Sequence, residues 1–299
     1  MRISTQLMFE TASNRMSDLQ NRLQKTQEQI GSGRRILSPA DDPVAATRAL
    51  DITQSQSINS QYGVNRQYAK STLGQVETTL AGVTSLMQDV KDTITAAGNG
   101  TLNDSQRGFM ATELNGRLQQ LLGLANSRDA AGNYLFSGFQ SNTPAFVQTA
   151  TGATYQGDQG LQRLQVDATR QMATSSPGST VFQSGGQDVF ATLTDLVNLL
   201  NTPGTAGLAA GLGTANANMD SALDSVLTVR ASVGANLQEL DALDNVGEDR
   251  NLQYSKALSE LQDLDYVQAL TQLTQQQVTL EAAQKSFVKT SSLSLFNFM

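Results

Sequence analysis

The side chains of this sequence that could perform catalysis are carboxylates, and they occur in three close pairs. The pairs are Asp41 with Asp42, Asp241 with Asp244, and Glu248 with Asp249. Two carboxylates facing one cleft can supply a general acid and a nucleophile for glycoside hydrolysis, or they can contribute to a metal site. The sequence has no His and no Cys. Thiol nucleophiles, zinc fingers and the usual general base at neutral pH are therefore excluded.

The first pair has a simpler explanation, because two helix-start signals overlap there. Ser38, Pro39 and Asp41 form an S-P-x-D cap, and Asp42 precedes Pro43, which suits the first position of a helix. Adjacent carboxylates without a His or a third acid converge poorly on one atom, so capping is favoured over acid–base or metal chemistry. The other two pairs lie beside predicted caps or on predicted helices. We therefore predict no enzyme activity, no catalytic residue, no metal ligand and no cofactor.

The composition is that of a globular chain, with 39% hydrophobic and 16% charged residues in 299 positions. The net charge of −7, with only 20 Lys and Arg, argues against nucleic-acid binding, which needs concentrated positive charge. No stretch approaches the ~20 apolar residues of a membrane span, and the start lacks the pattern of a secretory signal. The composition thus fits a cytoplasmic protein, or one exported without a cleaved signal. The absence of Cys fits either chance or export without oxidative folding.

A single apolar seam indicates how the elements are arranged. Its members recur every three and four residues: Ala69, Leu73, Val76, Leu80, Val83, Met87, Val90 and Ile94. This 3.5-residue period is typical of coiled-coil packing, whereas an ordinary amphipathic helix shows a wider stripe. The seam requires a partner, and we predict that the helix containing Leu223 to Leu240 supplies it.

Periodicity and turn residues predict three helices, a β-rich insert and three more helices. The second helix is predicted over residues 44–97, with a break near Gly63 left open, and the last over residues 248–288. In the insert, residues 134–187, short aromatic and aliphatic runs predict strands, and residues 157–160 predict a hairpin turn.

The predicted fold class is mainly α, a long antiparallel coiled-coil-like helical rod built from both chain ends, with a small β-rich inserted domain. We expect three parts. They are a terminal helical domain of residues 1–42 with 260–299, a helical rod domain of residues 43–133 with 188–259, and a β-rich outer domain of residues 134–187.

Apolar side chains at both ends form a candidate assembly surface. They are Leu19, Leu23 and Ile30 near the start, Leu270, Leu273, Leu280 and Phe287 in the last helix, and Leu293, Leu295, Phe296 and Phe298 at the end of the sequence. An apolar terminus can dock on its own domain, or it can be buried between subunits. Ends that become ordered only when copies assemble would lose their conformational entropy at that step.

Two motifs at the chain ends resemble the bacterial flagellin family. Residues 31–43 resemble its SSG-x-RI-x-S-x-x-DD signature, and residues 292–298 resemble the closing motif of its hook-associated branch. The opening residues 1–5, and the runs at 134–138 and 155–158, are also similar to that branch. The signature positions are Gly33, Arg35, Ser38, Asp41 and Asp42.

The resemblance implies a secreted, non-enzymatic structural subunit at the hook–filament junction of the bacterial flagellum. It implies export by the flagellar type III apparatus and binding of a dedicated export chaperone to the C-terminal helix. The implied partners are the first hook-associated protein, flagellin, and copies of itself in a ring. The terminal apolar residues would carry the chaperone contacts and then the inner-core contacts. A filament-forming flagellin is the alternative, and a cell-wall hydrolase at the flagellar tip is a remote one.

Overall fold

The computed structural model describes the backbone of residues 2–184 and 186–296, and the side chains of residues 7, 9–184 and 186–289. The helices are α1 (Arg2–Ser32), α2 (Pro43–Ala97), α3 (Asp104–Ala125), α4 (Gly178–Phe182), α5 (Val189–Asn201), α6 (Leu208–Gln262) and α7 (Tyr266–Phe296). The strands are β1 (Phe146–Thr149), β2 (Gly152–Tyr155), β3 (Arg163–Asp167) and β4 (Arg170–Ala173). The predicted fold class, long antiparallel helices with a small β-rich insert, is confirmed.

The chain forms two compact units. Unit 1 contains Met1–Ile58 and Asp249–Met299, and unit 2 contains Asn59–Glu248. Helices α2 and α6 each contribute residues to both units. The division into three domains stays a prediction.

In unit 2 the seam of α2 is buried, and α6 is its antiparallel partner. Each seam residue from Ala69 to Ile94 has at most 4% of its surface exposed, because a 3.5-residue period keeps all of them on one side of the helix. Polar pairs flank the seam and fix the register. The Arg230 guanidinium donates to Glu77 Oε1 at 2.5 and 3.0 Å, and Lys70 and Lys91 pair with Asp241 and Asp220.

Helices α3 and α5 pack on each other and complete the helical core of unit 2. The side chain of Asn103 accepts a hydrogen bond from the Gln106 N–H, and the Gln106 side chain accepts one from the Asn103 N–H, which is a full capping box at the start of α3. Asp188 caps α5 by accepting from two backbone N–H groups. Arg117 ties α3 to α2 through Asp89 at 2.8 Å.

The insert contains two separate antiparallel hairpins, β1–β2 and β3–β4. The hairpin turn predicted at residues 157–160 is wrong, because β2 and β3 do not pair. Instead, Asp158 Oδ1 accepts hydrogen bonds from the N–H groups of Phe139 and Gly160, both at 2.8 Å. Residues 157–160 therefore form a loop that is hydrogen-bonded to residues 137–139. The run from Tyr134 to Phe139 forms turns rather than a strand.

The structure resolves one helix boundary that the sequence left open and changes one that it predicted. Helix α2 is continuous through Gly63, and the last predicted helix, residues 248–288, is interrupted at residues 263–265. A new helix begins there because the Asp265 carboxylate accepts from the N–H groups of Val267 and Gln268, at 3.0 and 3.1 Å. An acceptor at this position satisfies N–H groups that have no partner within the helix.

Candidate assembly surfaces

The loop between α1 and α2, residues 33–42, is held by the first carboxylate of the pair. Asp41 Oδ2 accepts hydrogen bonds from the N–H groups of Leu37 and Ser38, each at 3.0 Å. Its other oxygen pairs with Lys25 of α1 at 2.6 Å. The Lys25 hydrogen bond, and then those from the backbone, lower the pKa of Asp41 to about 2. The side chain therefore acts as an ionised anchor for the loop.

The second carboxylate caps the next helix. Asp42 Oδ1 accepts from the Ala45 N–H at 3.0 Å, and Asp42 Oδ2 lies 3.4 Å from the Arg35 guanidinium. The Ala45 N–H and then Arg35 lower the pKa of this carboxyl. Both members of the pair are thus occupied in structural contacts, as the capping hypothesis expects. Among the described residues, no three His, Cys, Asp or Glu side chains are placed to hold a metal ion.

Arg35 links this loop to the break between α6 and α7. Its guanidinium donates to the Leu261 carbonyl at 2.9 Å, and its N–H donates to the Gln262 carbonyl at 2.7 Å. The carbonyls in the last turn of a helix have no partner within that helix, so Arg35 caps the end of α6. Sequence reasoning missed this role, because the Leu261 carbonyl lies 226 positions away in the chain.

Backbone contacts also join the loop of residues 33–42 to the break between α6 and α7. The Leu264 N–H donates to the Gly33 carbonyl at 3.0 Å, and Arg34 and Asp263 form an antiparallel bridge. Gly33 has φ 69°, and a Cβ there would lie 2.8 Å from the Tyr266 hydroxyl. Glycine is therefore suited to this position for both conformation and space. Ser38, the remaining signature position, is exposed and forms a turn in which its carbonyl accepts from the Asp41 N–H at 3.0 Å.

Helices α1 and α7 pack as an antiparallel pair within unit 1. The predicted surface residues Leu19, Leu23, Ile30, Leu273, Leu280 and Phe287 are half-buried in this pair. Phe9 and Phe287 stack edge to face, with ring centroids 4.7 Å apart. The structure thus brings six of the predicted residues into one seam.

This seam holds a smaller share of large apolar side chains than that of α2. Its buried or half-buried positions include Ala12, Thr26, Ala269, Gln276 and Ala283. The Thr26 hydroxyl donates to the Arg22 carbonyl of its own helix at 3.0 Å. Gln276 Oε1 is buried with no hydrogen-bond partner in the described part of the chain. A buried acceptor without a partner reduces stability, so the Gln276 side chain weakens the α1–α7 pair.

Apolar side chains also lie on the outer side of α7. Leu270 is 52% exposed and Val267 is 78% exposed, and both Val278 and Val288 are exposed. Leu270, predicted on the same seam as Leu273, instead lies outside it, and Ala269 occupies the buried position. The predicted residues Leu293, Leu295, Phe296 and Phe298 lie outside the side chains that the structure describes.

The charge of the protein is divided unevenly between the two units. Unit 1 carries 11 Lys and Arg against 11 Asp and Glu, and unit 2 carries 9 against 16. The whole net charge of −7 therefore belongs to unit 2. Electrostatic repulsion between copies brought together through unit 1 would be small.

The other carboxylate pairs lie along α6 and do not face a common cleft. Asp241 pairs with Lys70, and Asp244 pairs with Arg66, a guanidinium that is only 4% exposed, at 2.5 Å. Glu248 and Asp249 are exposed on the helix surface. These contacts give each of the first two carboxylates a structural partner on α2. In addition, no helix within the described residues has the length and apolar content needed to cross a membrane.

Comparison with known proteins agrees with the signature loop and the fold. Residues 3–141 match the family described as the bacterial flagellin N-terminal helical region. Flagellar hook-associated protein 3 of Salmonella typhimurium is 36% identical over 315 positions, covering 99% of each chain. Its namesake in Escherichia coli is 34% identical with the same coverage. The flagellar junction protein FlgL from Legionella pneumophila has the same fold, with a TM-score of 0.62 at 20% identity, over 72% of this chain and 100% of that one. This chain belongs to the flagellar hook-associated protein 3 family.

Proposed function

We propose that this chain is a structural adaptor of the bacterial flagellum, which joins the first hook-associated protein on the hook side to flagellin on the filament side. The observation that carries the proposal is the α1–α7 pair, in which a weak seam coexists with exposed apolar side chains. Full-length similarity to proteins named flagellar hook-associated protein 3 supports the same role. No catalytic step is part of this function.

Copies of the chain would assemble as a ring through unit 1. Four large apolar side chains of α7 outside the seam, Val267, Leu270, Val278 and Val288, are more than half exposed, and contacts between subunits would remove them from water. Burial of charged groups without partners is costly, and the equal numbers of acidic and basic residues in unit 1 reduce that cost. The terminal domain of residues 1–42 with 260–299 would supply most of this interface.

An export chaperone would bind the C-terminal helix before α1 and α7 pair. Leu273, Leu280 and Phe287 are half-buried against α1, so a chaperone can use them only while the two helices are apart. The weak seam makes that separation inexpensive. Leu270 lies outside the seam, and a chaperone could contact it in either state. The chain would then pass unfolded through the flagellar type III apparatus and reach its place outside the cell.

Deletion of the gene tests the adaptor role directly. We expect the deletion strain to keep its hooks and to release unpolymerised flagellin into the medium, because filament subunits would lack their attachment point. Complementation with the intact gene should restore filaments. Normal filaments in the deletion strain would contradict the proposal. Growth of long polymers from the purified chain alone would instead identify it as a filament-forming flagellin.

Limited proteolysis tests the weak pairing of the terminal helices. In the purified chain, residues of α1 and α7 should be cut first, leaving a resistant fragment of roughly residues 45–260. The chaperone that binds the C-terminal helix should slow cleavage within α7 but not within α1. Ends that resist protease as well as unit 2 would show that terminal order does not await assembly.

A further inference from the structure

Two asparagines in this chain are followed by glycine, and they lie in different backbone environments. Asn99–Gly100 is in the loop between α2 and α3, and Asn115–Gly116 is inside α3. All four residues are exposed to solvent. In such a dipeptide the glycine nitrogen can attack the asparagine Cγ, because glycine offers no Cβ to obstruct the approach. The two dipeptides therefore share their chemistry and their solvent access, and differ in backbone structure.

The loop dipeptide has two hydrogen-bond donors on the reacting carbonyl. The Thr101 hydroxyl donates to Asn99 Oδ1 at 2.9 Å, and the Thr101 N–H donates to the same oxygen at 3.2 Å. Negative charge develops on this oxygen when a nucleophile adds to Cγ, and donors aimed at such an oxygen stabilise the transition state. The space around Gly100 is open, since a Cβ there would have no neighbour within 4 Å.

At the helical dipeptide, the helix holds the glycine N–H away from the asparagine side chain. Asn115 and Gly116 lie near the middle of α3, which runs from Asp104 to Ala125. The Gly116 N–H points along the helix axis toward a carbonyl four residues earlier. Attack on the Asn115 side chain would require this turn of the helix to open first. The structure therefore predicts slow chemistry at a dipeptide that sequence alone would rate as reactive.

We propose that Asn99 is a site of spontaneous deamidation in the folded protein. Hydroxide takes the proton of the Gly100 N–H, the nitrogen bonds to Asn99 Cγ, and the Cγ–Nδ2 bond breaks. Nδ2 takes a proton from water and leaves as ammonia, so that a cyclic imide remains. Water then opens either side of the imide to give aspartate or isoaspartate. The corner between α2 and α3 gains one negative charge, and the extent of conversion rises with the age of the molecule.

The test is to incubate the intact full-length protein at mildly alkaline pH and to follow both dipeptides by tryptic mass spectrometry. Cleavage after Lys91, Arg107 and Arg117 places Asn99 in the peptide 92–107 and Asn115 in the peptide 108–117. Fragmentation distinguishes Asn99 from Asn103 within the first peptide. We expect Asn99 to convert first in the native protein. In strong denaturant the two dipeptides should convert at comparable rates, because the helix is then lost.

Two variants test the role of the loop geometry. Thr101→Val removes one hydroxyl donor and should slow native conversion at Asn99 about fivefold, the rate equivalent of one neutral hydrogen bond. It should have no effect in denaturant. Gly100→Ala, for which the loop has room, should slow conversion in both conditions. Equal native rates at Asn99 and Asn115, or an unchanged native rate in Thr101→Val, would overturn the proposal.

Discussion

Replacing Gln276 by leucine should strengthen the pairing of α1 and α7. The wild-type side chain places a buried Oε1 without a partner in the seam, and removing such an acceptor recovers about 1–3 kcal/mol. A half-buried leucine adds about 1 kcal/mol from apolar surface removed from water. The pair should therefore gain about 2–4 kcal/mol.

Protease sensitivity measures this gain. When opening and closing are fast relative to cleavage, the cleavage rate follows the population of the open state. A gain of about 2 kcal/mol lowers that population about thirtyfold. Cleavage within α1 and α7 of the Gln276→Leu variant should therefore slow by at least this factor. If terminal order is deferred until assembly, the same variant should also be exported less efficiently.

A neighbouring position provides the matched control. Gln277 is exposed on the same turn of α7, so Gln277→Leu should change the stability of the pair by less than about 0.5 kcal/mol. Both variants add the same side chain to the same helix. Equal cleavage rates in Gln276→Leu and Gln277→Leu would refute the conclusion that the polar seam residue weakens the pair.

Three further substitutions test the junction and the core. Arg35→Ala leaves the Leu261 carbonyl without its donor, so unit 1 should lose about 1 kcal/mol of stability. This loss should appear as faster proteolysis within residues 33–42, and unchanged cleavage would contradict the capping role. The Asp41 carboxylate stabilises the fold above its ordinary pKa of 3.8, and this contribution is lost as the pH falls through about 2. The stability difference between wild type and Asp41→Asn should therefore shrink between those values in acid titrations followed by circular dichroism, whereas a constant difference would exclude the ionised anchor. Phe146→Ala opens a cavity beside three aromatic rings. It should lower the free energy of unfolding of unit 2, measured in urea, by about 3–5 kcal/mol. Phe139→Ala, at an exposed position, is the control and should change that free energy by less than about 0.5 kcal/mol.

Local pattern was enough to predict the parts of the fold in which one helix face decides burial. The residues from Ala69 to Ile94 are buried because their spacing keeps them on one side of α2. The Asp42 cap was also predictable, because an acceptor and a proline stand next to each other. These features depend on residues within a few positions of each other.

Features with a weak local signal, or with partners far away in the chain, could not be predicted in this way. The break before α7 contains no Gly or Pro, and its signal, Asp265, is one acidic residue among several. The loop at Asp158 looked like a hairpin turn by composition, but its carboxylate binds the Phe139 N–H, 19 positions earlier. Gln276 fits a polar surface as well as a seam, and only the packing of α1 shows which it occupies.

The cap that Arg35 provides for α6 also has a consequence for the order of events during folding. The donor and the Leu261 carbonyl are separated by 226 positions, so the contact between them cannot form from local sequence alone. In a chain delivered from one end, whichever half emerges first must wait for the intervening residues. The entropic cost of closing so long a loop grows only slowly with its length, but contacts of this separation form late. The junction therefore forms only after both ends of the same molecule are present.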